Sequence, residues 1–229
     1  MITISKEDYL KAILEAESEG ERVISATLAH WLSVSPPAVT MELRRLSKDG
    51  MVRVRADGRV QLTAAGRTVA RRTVYRHHLI ERMLSEVFGM DWYKVHDEAE
   101  RLEHAVSADF EARLARKLGS SGYCPHGNPA IPESPAGRRR RGLLPLSEAA
   151  EGGTYQIASV YERDRKLLEF LEERGLRPGA GVRVTARNYD QTVTLVTRAG
   201  KSSAGKPVAD RVWVAPSTST ETPSKTKRS

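Results

Sequence analysis

The chain has 229 residues, which is enough to bury a core. At this length we expect two or three compact units rather than one. Lysine and arginine number 37 against 29 aspartates and glutamates, and the formal net charge of +8 suits a polyanionic partner such as nucleic acid. The single cysteine, Cys124, excludes an internal disulfide framework and fits a reducing compartment. Because no run approaches the roughly 20 apolar residues of a membrane span and the charged N-terminus is unlike a targeting signal, we expect a cytoplasmic protein without membrane attachment.

The first 62 residues predict a winged helix-turn-helix. Apolar residues at helical spacing indicate a helix over residues 5–18 and a second over about 25–32, and a third begins at Pro36 and ends at Asp49. Two alternating strands follow, at residues 51–55 and 60–62, joined by an Asp-Gly turn. In such a domain the second helix of the helix-turn-helix enters the major groove and the wing meets the backbone or minor groove.

Basic residues are concentrated in the same region. Between Pro36 and Arg76 there are ten arginines and lysines against three acids. The third helix begins with small, hydroxylic and apolar side chains, which can contact phosphates and thymine methyl groups, so readout is expected to depend on methyl groups and DNA shape. The predicted DNA-binding residues are Ser35, Pro37, Ala38, Thr40, Met41, Arg44, Arg45, Lys48 and Arg59. The alternative is an ordinary solvated basic face.

The remainder predicts two long helices and then a β-rich region. One helix is expected from Thr63 to Phe88 and another from about Trp92 to Leu118, followed by an irregular Gly-, Pro- and Ser-rich linker over residues 119–142. Strands are predicted at 155–160, 182–185, 193–196 and 212–214, with a short helix at about 164–174. The predicted fold class is therefore mainly α with a C-terminal all-β domain, a small β-barrel.

Carboxylates and histidines recur on the two long helices. His77 and Glu81 are four residues apart, and the second helix carries a similar series at i, i+4, i+7 and i+8, namely His96, Glu100, Glu103 and His104. A divalent cation can hold such a cluster, because it neutralises carboxylates on adjacent turns and accepts neutral imidazole as a ligand. The alternative is that these are surface residues of amphipathic helices. Four of the six histidines lie in or beside the clusters, which favours a metal site.

The combination resembles a known family. The winged helix-turn-helix, the segment Arg76-His77-His78-Leu79-Ile80-Glu81-Arg82, the segment Lys94-Val95-His96-Asp97-Glu98-Ala99-Glu100 and the pair Glu103-His104 are similar to the diphtheria toxin repressor and manganese transport regulator family. The resemblance extends to about residue 215. It implies a winged helix-turn-helix DNA-binding domain at 1–72, a helical metal-binding and dimerisation domain with linker at 73–142, and an SH3-like (FeoA-like) domain at 143–215. Residues 216–229 are expected to be a disordered tail.

The resemblance also implies two metal sites. The primary site would take its ligands from Asp8, Glu100, Glu103 and His104. The carboxylates of Asp8 and Glu100 match the manganese branch, since iron-responsive relatives carry methionine and cysteine there, and hard oxygen ligands suit Mn²⁺. The secondary site would take its ligands from Glu81, Cys124, His126 and Asp164, with His77 and His96 close by. Lys11 departs from the two-domain manganese regulators, which have a glutamate there, and this favours two separate sites over a paired one.

The predicted function is a homodimeric repressor, not an enzyme, that binds a palindromic double-stranded operator with Mn²⁺ as corepressor and controls metal uptake and homeostasis genes. An Fe²⁺- or Zn²⁺-responsive repressor of the same family is the alternative. Two further readings remain open from the residues alone. The ligands could serve a metal-dependent hydrolase, or the long helices could only dimerise in a metal-free regulator.

Overall fold

The computed structural model describes residues 4–119 and 122–217, and residues 218–229 of the predicted disordered tail lie outside the described residues. The chain forms two compact units, each described by itself. The N-terminal unit contains the described residues of Met1–Met90, Asp97–Cys124 and Pro129–Gly137; the C-terminal unit contains those of Asp91–His96, Pro125–Asn128 and Arg138–Ser229. No helix in the described parts is long and apolar enough to cross a membrane.

The N-terminal unit begins with the predicted winged helix-turn-helix. Its elements are α1 (Ile4–Ser18), α2 (Ser25–Trp31), α3 (Pro36–Lys48), β1 (Val52–Val54) and β2 (Val60–Leu62). The two strands pair antiparallel, so the β-wing is confirmed. The side chain of the residue before α3 accepts a hydrogen bond from the helix's first turn, and prolines occupy the first two positions, where a missing N–H costs nothing.

Helix α4 (Ala64–Arg82) continues as a π-helical turn at Met83–Val87, and Gly89 with φ of +64° follows, close to the predicted end. The N-terminal half of α4 packs on α1, and both contribute to the core of the winged helix-turn-helix. Helix α4 therefore lies in the same compact unit as the winged helix-turn-helix.

The prediction of one helix from Trp92 to Leu118 is wrong. The structure has α5 (Val95–Leu102) and α6 (Ala108–Leu118), with a turn at residues 103–105 between them. The break has a local cause, because the Ser107 hydroxyl accepts a hydrogen bond from the Phe110 amide and so begins a new helix. Glu103 and His104 therefore lie on a turn and not on the face of a continuous helix. The linker predicted as irregular contains a further short helix, α7 (Pro135–Arg140).

The C-terminal unit is a six-stranded antiparallel sheet with two helices, which confirms the SH3-like all-β domain. Its elements are β3 (Leu144–Pro145), β4 (Thr154–Val160), α8 (Arg165–Glu173), β5 (Gly181–Arg187), β6 (Val193–Thr197), β7 (Gly200–Ala204), α9 (Lys206–Ala209) and β8 (Val212–Pro216). The strand order is β3-β8-β4-β5-β6-β7. The four predicted strands are present. The edge strands β3 and β7 were not predicted, since one has two residues and the other, Gly-Lys-Ser-Ser-Ala, lacks β-branched side chains.

Candidate metal centres and DNA-reading surface

Three of the four predicted primary ligands converge in the N-terminal unit. Asp8 lies on α1, while Glu103 and His104 lie on the turn after α5, and one ligand atom from each is within 4.8 Å of the other two. The His104 Nε2 is 2.7 Å from Asp8 Oδ1 and 3.4 Å from Glu103 Oε1. The cluster therefore joins the first helix of the winged helix-turn-helix to the segment between α5 and α6.

Glu103 presents one carboxylate oxygen to this cluster. Its side chain is fully buried, and Oε2 receives Lys11 Nζ at 2.8 Å and lies 2.6 Å from His77 Nδ1. The other oxygen, Oε1, is buried without a hydrogen-bond donor among the described residues. Burial alone would raise the pKa of Glu103, but His77 and Lys11 outweigh it and lower that pKa. A buried, ionised oxygen beside an imidazole and a second carboxylate fits a divalent cation.

The pKa of the Asp8 carboxylate is shifted in the opposite direction, upward. Burial raises its pKa, and the attraction of His104 and Lys11 only partly offsets this. A cation at the cluster would favour the ionised form of Asp8, because an opposite charge at short range stabilises a carboxylate. The donor set of two carboxylates and one imidazole is therefore suited to a hard or borderline divalent ion.

The orientation of His104 is set by a residue that the sequence analysis missed. Its Nδ1 lies 3.1 Å from Glu7 Oε2, which leaves Nε2 directed to Asp8 and Glu103. Arg76 donates to the main-chain oxygen of Glu103 at 3.2 Å and has a guanidinium nitrogen 3.6 Å from Glu7. Glu7 thus has the position of an outer carboxylate that fixes a metal-binding histidine. No periodic pattern in the sequence distinguishes it from other acids of α1.

We expect Glu7→Gln to weaken Mn²⁺ binding by about tenfold, as loss of an outer-sphere partner commonly does. The amide can still contact His104, but it no longer supplies the negative charge that favours Nε2 as the ligand atom. Isothermal titration with Mn²⁺ measures the change. Glu21→Gln, an exposed acid after α1, is the matched control. An unchanged dissociation constant for Glu7→Gln would show that His104 is oriented by other contacts.

Glu100, the fourth predicted primary ligand, is paired with a lysine. The Lys11 ammonium is 2.9 Å from Glu100 Oε1, 2.8 Å from Glu103 Oε2 and 3.0 Å from His77 Nδ1, and its side chain is only 3% exposed. Burial disfavours the ammonium, but the charges of Glu15, Glu103 and Glu100 outweigh it and raise the pKa of Lys11. The Lys11 ammonium therefore lies beside the Asp8 cluster and supplies positive charge to the acidic groups there. Without it, a second metal ion would have to neutralise those groups.

The ligands predicted for the secondary site are divided between the two units. In the N-terminal unit, Glu81 and Cys124 are both buried, and Glu81 Oε1 lies 3.0 Å from His77 Nε2. Burial and Lys11 disfavour the charged form of His77, yet the carboxylates of Glu81 and Glu103 raise its pKa to about 9. His77 therefore links the primary cluster to Glu81 through a buried hydrogen-bonded chain.

In the C-terminal unit, the carboxylate beside His126 is Glu162 and not the predicted Asp164. His126 is fully buried, with Nε2 2.9 Å from the Trp92 main-chain oxygen and Nδ1 3.5 Å from Glu162 Oε2. The buried His96 ring is 6.4 Å from the His126 ring. Asp164 instead caps α8, accepting the Leu167 amide at 3.0 Å. Sequence spacing could not separate these two acids, because they are two residues apart in a segment between β4 and α8.

The predicted DNA-reading residues form an exposed face of α3. The opposite face is buried in the core through Val39, Leu43 and Leu46. The solvent face carries Ser35, Pro37, Thr40, Met41, Arg44, Arg45 and Lys48, with Ala38 partly covered. Met41 is 53% exposed although it is apolar, which suits contact with a thymine methyl group. Arg59 is exposed at the tip of the wing, where its Nε lies 3.1 Å from Asp57 Oδ2.

Family models match three consecutive parts of the chain. Residues 1–60 match the N-terminal DNA-binding domain of iron-dependent repressors, and residues 63–132 match the metal-binding and dimerisation domain of the same proteins. Residues 144–216 match the FeoA domain.

Characterised proteins resemble the chain over most of its length. The diphtheria toxin repressor of Corynebacterium glutamicum is 32% identical over 206 residues, covering 86% of this chain and 89% of that protein. The iron-dependent repressor IdeR of Mycobacterium leprae is 34% identical, covering 83% and 87%. Among solved structures, a manganese-dependent transcriptional repressor in complex with manganese superposes with a TM-score of 0.82 at 32% identity, covering 92% and 99%. ScaR with bound Zn²⁺ gives a TM-score of 0.77 at 30% identity, covering 92% and 99%.

Proposed function

The chain belongs to the family of metal-dependent, DNA-binding transcriptional repressors that includes the diphtheria toxin repressor, and on this premise we propose that it is a manganese-dependent repressor. It acts in the cytoplasm as a homodimer on a palindromic operator and controls genes of metal uptake and homeostasis. The hydrolase reading is set aside, since family members are repressors and not enzymes.

The observation that carries the choice of metal is the convergence of Asp8, Glu103 and His104. Two carboxylates and one imidazole form an oxygen-rich donor set without sulfur, and such sets suit Mn²⁺ better than the softer first-row ions. Glu100 is the fourth ligand in the proposal, because the carboxylate has a second oxygen besides the one that Lys11 contacts. Structures of relatives contain manganese, zinc or cadmium, so the family alone does not choose the ion.

The position of the cluster explains how a metal can control DNA binding. Asp8 belongs to α1, and buried side chains of α1 share one core with α2 and α3. A bound cation supplies the positive charge that holds Asp8 against Glu103 and His104. The ordered arrangement of the winged helix-turn-helix is then favoured, because the metal binds that state more tightly than the loosened one. By linkage, operator DNA strengthens metal binding by the same factor.

Dimerisation is supported by apolar side chains that α4 to α6 leave exposed. Tyr75, Val87, Phe88 and Phe110 all fall in the part matched by the metal-binding and dimerisation domain, and Phe88 is 70% exposed. Exposed aromatic residues are typical of subunit interfaces. A two-fold dimer presents two α3 helices, which is why a palindromic operator is proposed.

An iron(II)- or zinc-responsive repressor is the second candidate. Curated relatives include iron-dependent repressors at 34% identity, and the N-terminal unit contains a buried thiol, Cys124, near Glu81. Sulfur ligands favour Zn²⁺ and Fe²⁺ over Mn²⁺.

The two candidates are separated by operator affinity at buffered free metal concentrations. A palindromic duplex is first selected from random sequence with Mn²⁺-loaded protein, and fluorescence anisotropy is then titrated with Mn²⁺, Zn²⁺ and, without oxygen, Fe²⁺. We expect Mn²⁺ at micromolar free concentration to tighten DNA binding at least about 100-fold, within the range of allosteric couplings. Activation by Fe²⁺ alone at its free cellular concentration would contradict the manganese assignment.

A further inference from the structure

We propose that the outward face of β5, β6 and β7 in the C-terminal unit is a second DNA-contacting surface, which binds the phosphate backbone of the duplex that flanks the operator. This basic sheet face is defined by Arg183 on β5, Lys201 on β7 and Arg198 in the turn between β6 and β7. The inference goes beyond the proposed function, because the face lies outside the winged helix-turn-helix and its role does not depend on which metal activates the repressor.

The net positive charge of the chain belongs to the C-terminal unit. That unit contains 19 lysines and arginines against 11 aspartates and glutamates, of which three bases and one acid fall in residues 218–229. The N-terminal unit contains 18 basic and 18 acidic residues, so the basic α3 and wing are balanced by acids elsewhere in the same unit. A unit outside the winged helix-turn-helix that carries the whole excess of charge favours a polyanionic partner.

The register of the sheet brings the three cations together. Arg183 lies opposite Val196, and Val196 lies opposite Lys201, so one cross-strand row runs through three neighbouring strands. Because neighbouring strands are about 4.8 Å apart, the main chains at Arg183 and Lys201 are separated by about 10 Å. Arg198 follows Val196 by two residues, in the short turn to β7. All three cationic side chains are exposed, while the alternate positions of β5 and β6 point into the core.

No acid neutralises the row from within the sheet. Strands β3 to β8 contain no aspartate or glutamate. Among the described residues, Arg183, Arg198 and Lys201 have no ion pair or side-chain hydrogen bond. On the helical side of the same unit the arrangement differs, since Lys206 on α9 is paired with Asp210 at 2.6 Å. The cations of the face are therefore available to an anion from outside the unit.

One acid reaches the edge of the face. Glu173, at the end of α8, lines the same surface cavity as Lys201. Its Oε2 lies 3.1 Å from Arg174 Nη1, so its charge is offset by a neighbouring arginine. Glu173 therefore does not replace an external anion at Lys201.

Hydroxyl groups occupy the positions around the cations. Thr154 on β4 lies opposite Arg183, and Ser203 on β7 lies opposite Thr194. Arginine, lysine, serine and threonine are the side chains that most often contact phosphate and sugar, and such contacts carry no sequence information. The composition of the face therefore suits the backbone of a duplex and not the edges of its bases.

A weak surface is sufficient because both units belong to one chain. Non-specific DNA binding typically has a dissociation constant of about 10⁻⁴ to 10⁻⁶ M. A duplex held by the winged helix-turn-helix presents its flanking phosphates to the same chain at an effective concentration on the order of 1 mM. The basic sheet face can then add to operator affinity without reading any base.

The salt dependence of operator affinity tests the proposal on the full-length protein with saturating Mn²⁺. Fluorescence anisotropy compares a core duplex, which contains the selected operator alone, with an extended duplex that adds roughly 20 base pairs, about two helical turns, on each side. We expect the logarithm of affinity to fall with the logarithm of salt concentration more steeply for the extended duplex. The difference in slope is about 0.9 for each phosphate neutralised, or about 2.7 for the three cations of one subunit. Between about 50 and 200 mM salt, this slope corresponds to an additional loss of affinity of about 40-fold.

Two charge-matched variants separate the face from net charge. The face variant is Arg183→Gln/Arg198→Gln/Lys201→Gln, and the control, which removes the same charge from α8 and α9, is Arg165→Gln/Lys166→Gln/Lys206→Gln. We expect the face variant to lose the additional slope on the extended duplex and the control to keep it. Persistence of the additional slope in the face variant, or an equal loss in both variants, would overturn the proposal.

Lysine acetylation followed by mass spectrometry tests the same claim on the wild type and needs no variant. We expect the extended duplex, but not the core duplex, to protect Lys201, while the exposed Lys166 on α8 reacts equally with both. An unprotected Lys201, or stronger protection by single-stranded RNA of equal length, would contradict the assignment to duplex DNA. Activation by Mn²⁺ is measured on the core duplex, so the repressor proposal and this one fail on different measurements.

Discussion

Replacing Asp8 by Asn is expected to lower Mn²⁺ affinity by more than about 100-fold, beyond the range typical of outer-sphere partners, and to abolish Mn²⁺-dependent operator binding. The amide keeps the size of the side chain but removes the negative charge of Asp8. The metal ion then loses the carboxylate that links it to α1, opposite Glu103 and His104 on the turn at residues 103–105. Wild type at 100 times its dissociation constant should gain about 2.7 kcal/mol of stability from the metal. Asp8→Asn should gain almost none, and thermal unfolding with and without Mn²⁺ measures the difference.

The control for Asp8→Asn is Glu98→Gln, since Glu98 lies on α5 and pairs with the exposed Arg101 away from the cluster. We expect this variant to keep both the stability gain and the Mn²⁺-activated operator binding of the wild type. Persistence of either effect in Asp8→Asn would mean that the activating ion is bound without α1.

Lys11→Met is expected to destabilise the metal-free protein by about 3–5 kcal/mol, because removal of one member of a buried charge network leaves the other charges uncompensated. The ammonium contacts Glu100, Glu103 and His77, and methionine preserves its volume without the charge. Mn²⁺ should recover part of the loss, since it supplies positive charge to Glu103. Chemical denaturation of the metal-free and Mn²⁺-bound forms measures both effects.

Lys11→Glu extends the same argument to stoichiometry. A carboxylate in place of the ammonium would add a ligand where a protein cation now lies, so we expect one additional Mn²⁺ per subunit by elemental analysis after dialysis. Lys94→Met, whose exposed lysine pairs with Asp91, should change stability by less than about 0.5 kcal/mol. If Lys11→Met were as stable as this control, Lys11 could not be the counter-charge of the acidic network.

The order of the elements was predictable because apolar periodicity, prolines and glycines act locally. Helix α3 begins at its prolines, and the π-helical turn that continues α4 ends near Gly89, as the sequence indicates. The break after Leu102 was not predictable from periodicity, since the apolar pattern continues through it and only the capping by Ser107 begins a new helix. The structure places the candidate ligands Glu103 and His104 beside Asp8, and this geometry comes from a turn and not from helical spacing.

Contacts between segments that are distant in sequence determine the roles of the residues that sequence patterns did not single out. Glu7 and Arg76 are ordinary polar residues of helices, and only the fold brings Glu7 to His104 and Arg76 to Glu111. Lys11 was noticed as a departure from related proteins, but its burial among three acids required the fold. Glu162 and Asp164 are equivalent by type and spacing, and the start of α8 decides which of them caps the helix.

The most direct test of the central claim is anomalous diffraction at the manganese edge from crystals of the full chain grown with excess Mn²⁺. We predict a peak within coordination distance of Asp8, Glu103 and His104 in every subunit. A map with no peak between α1 and the turn at residues 103–105, or with manganese bound only at other residues, would contradict the account.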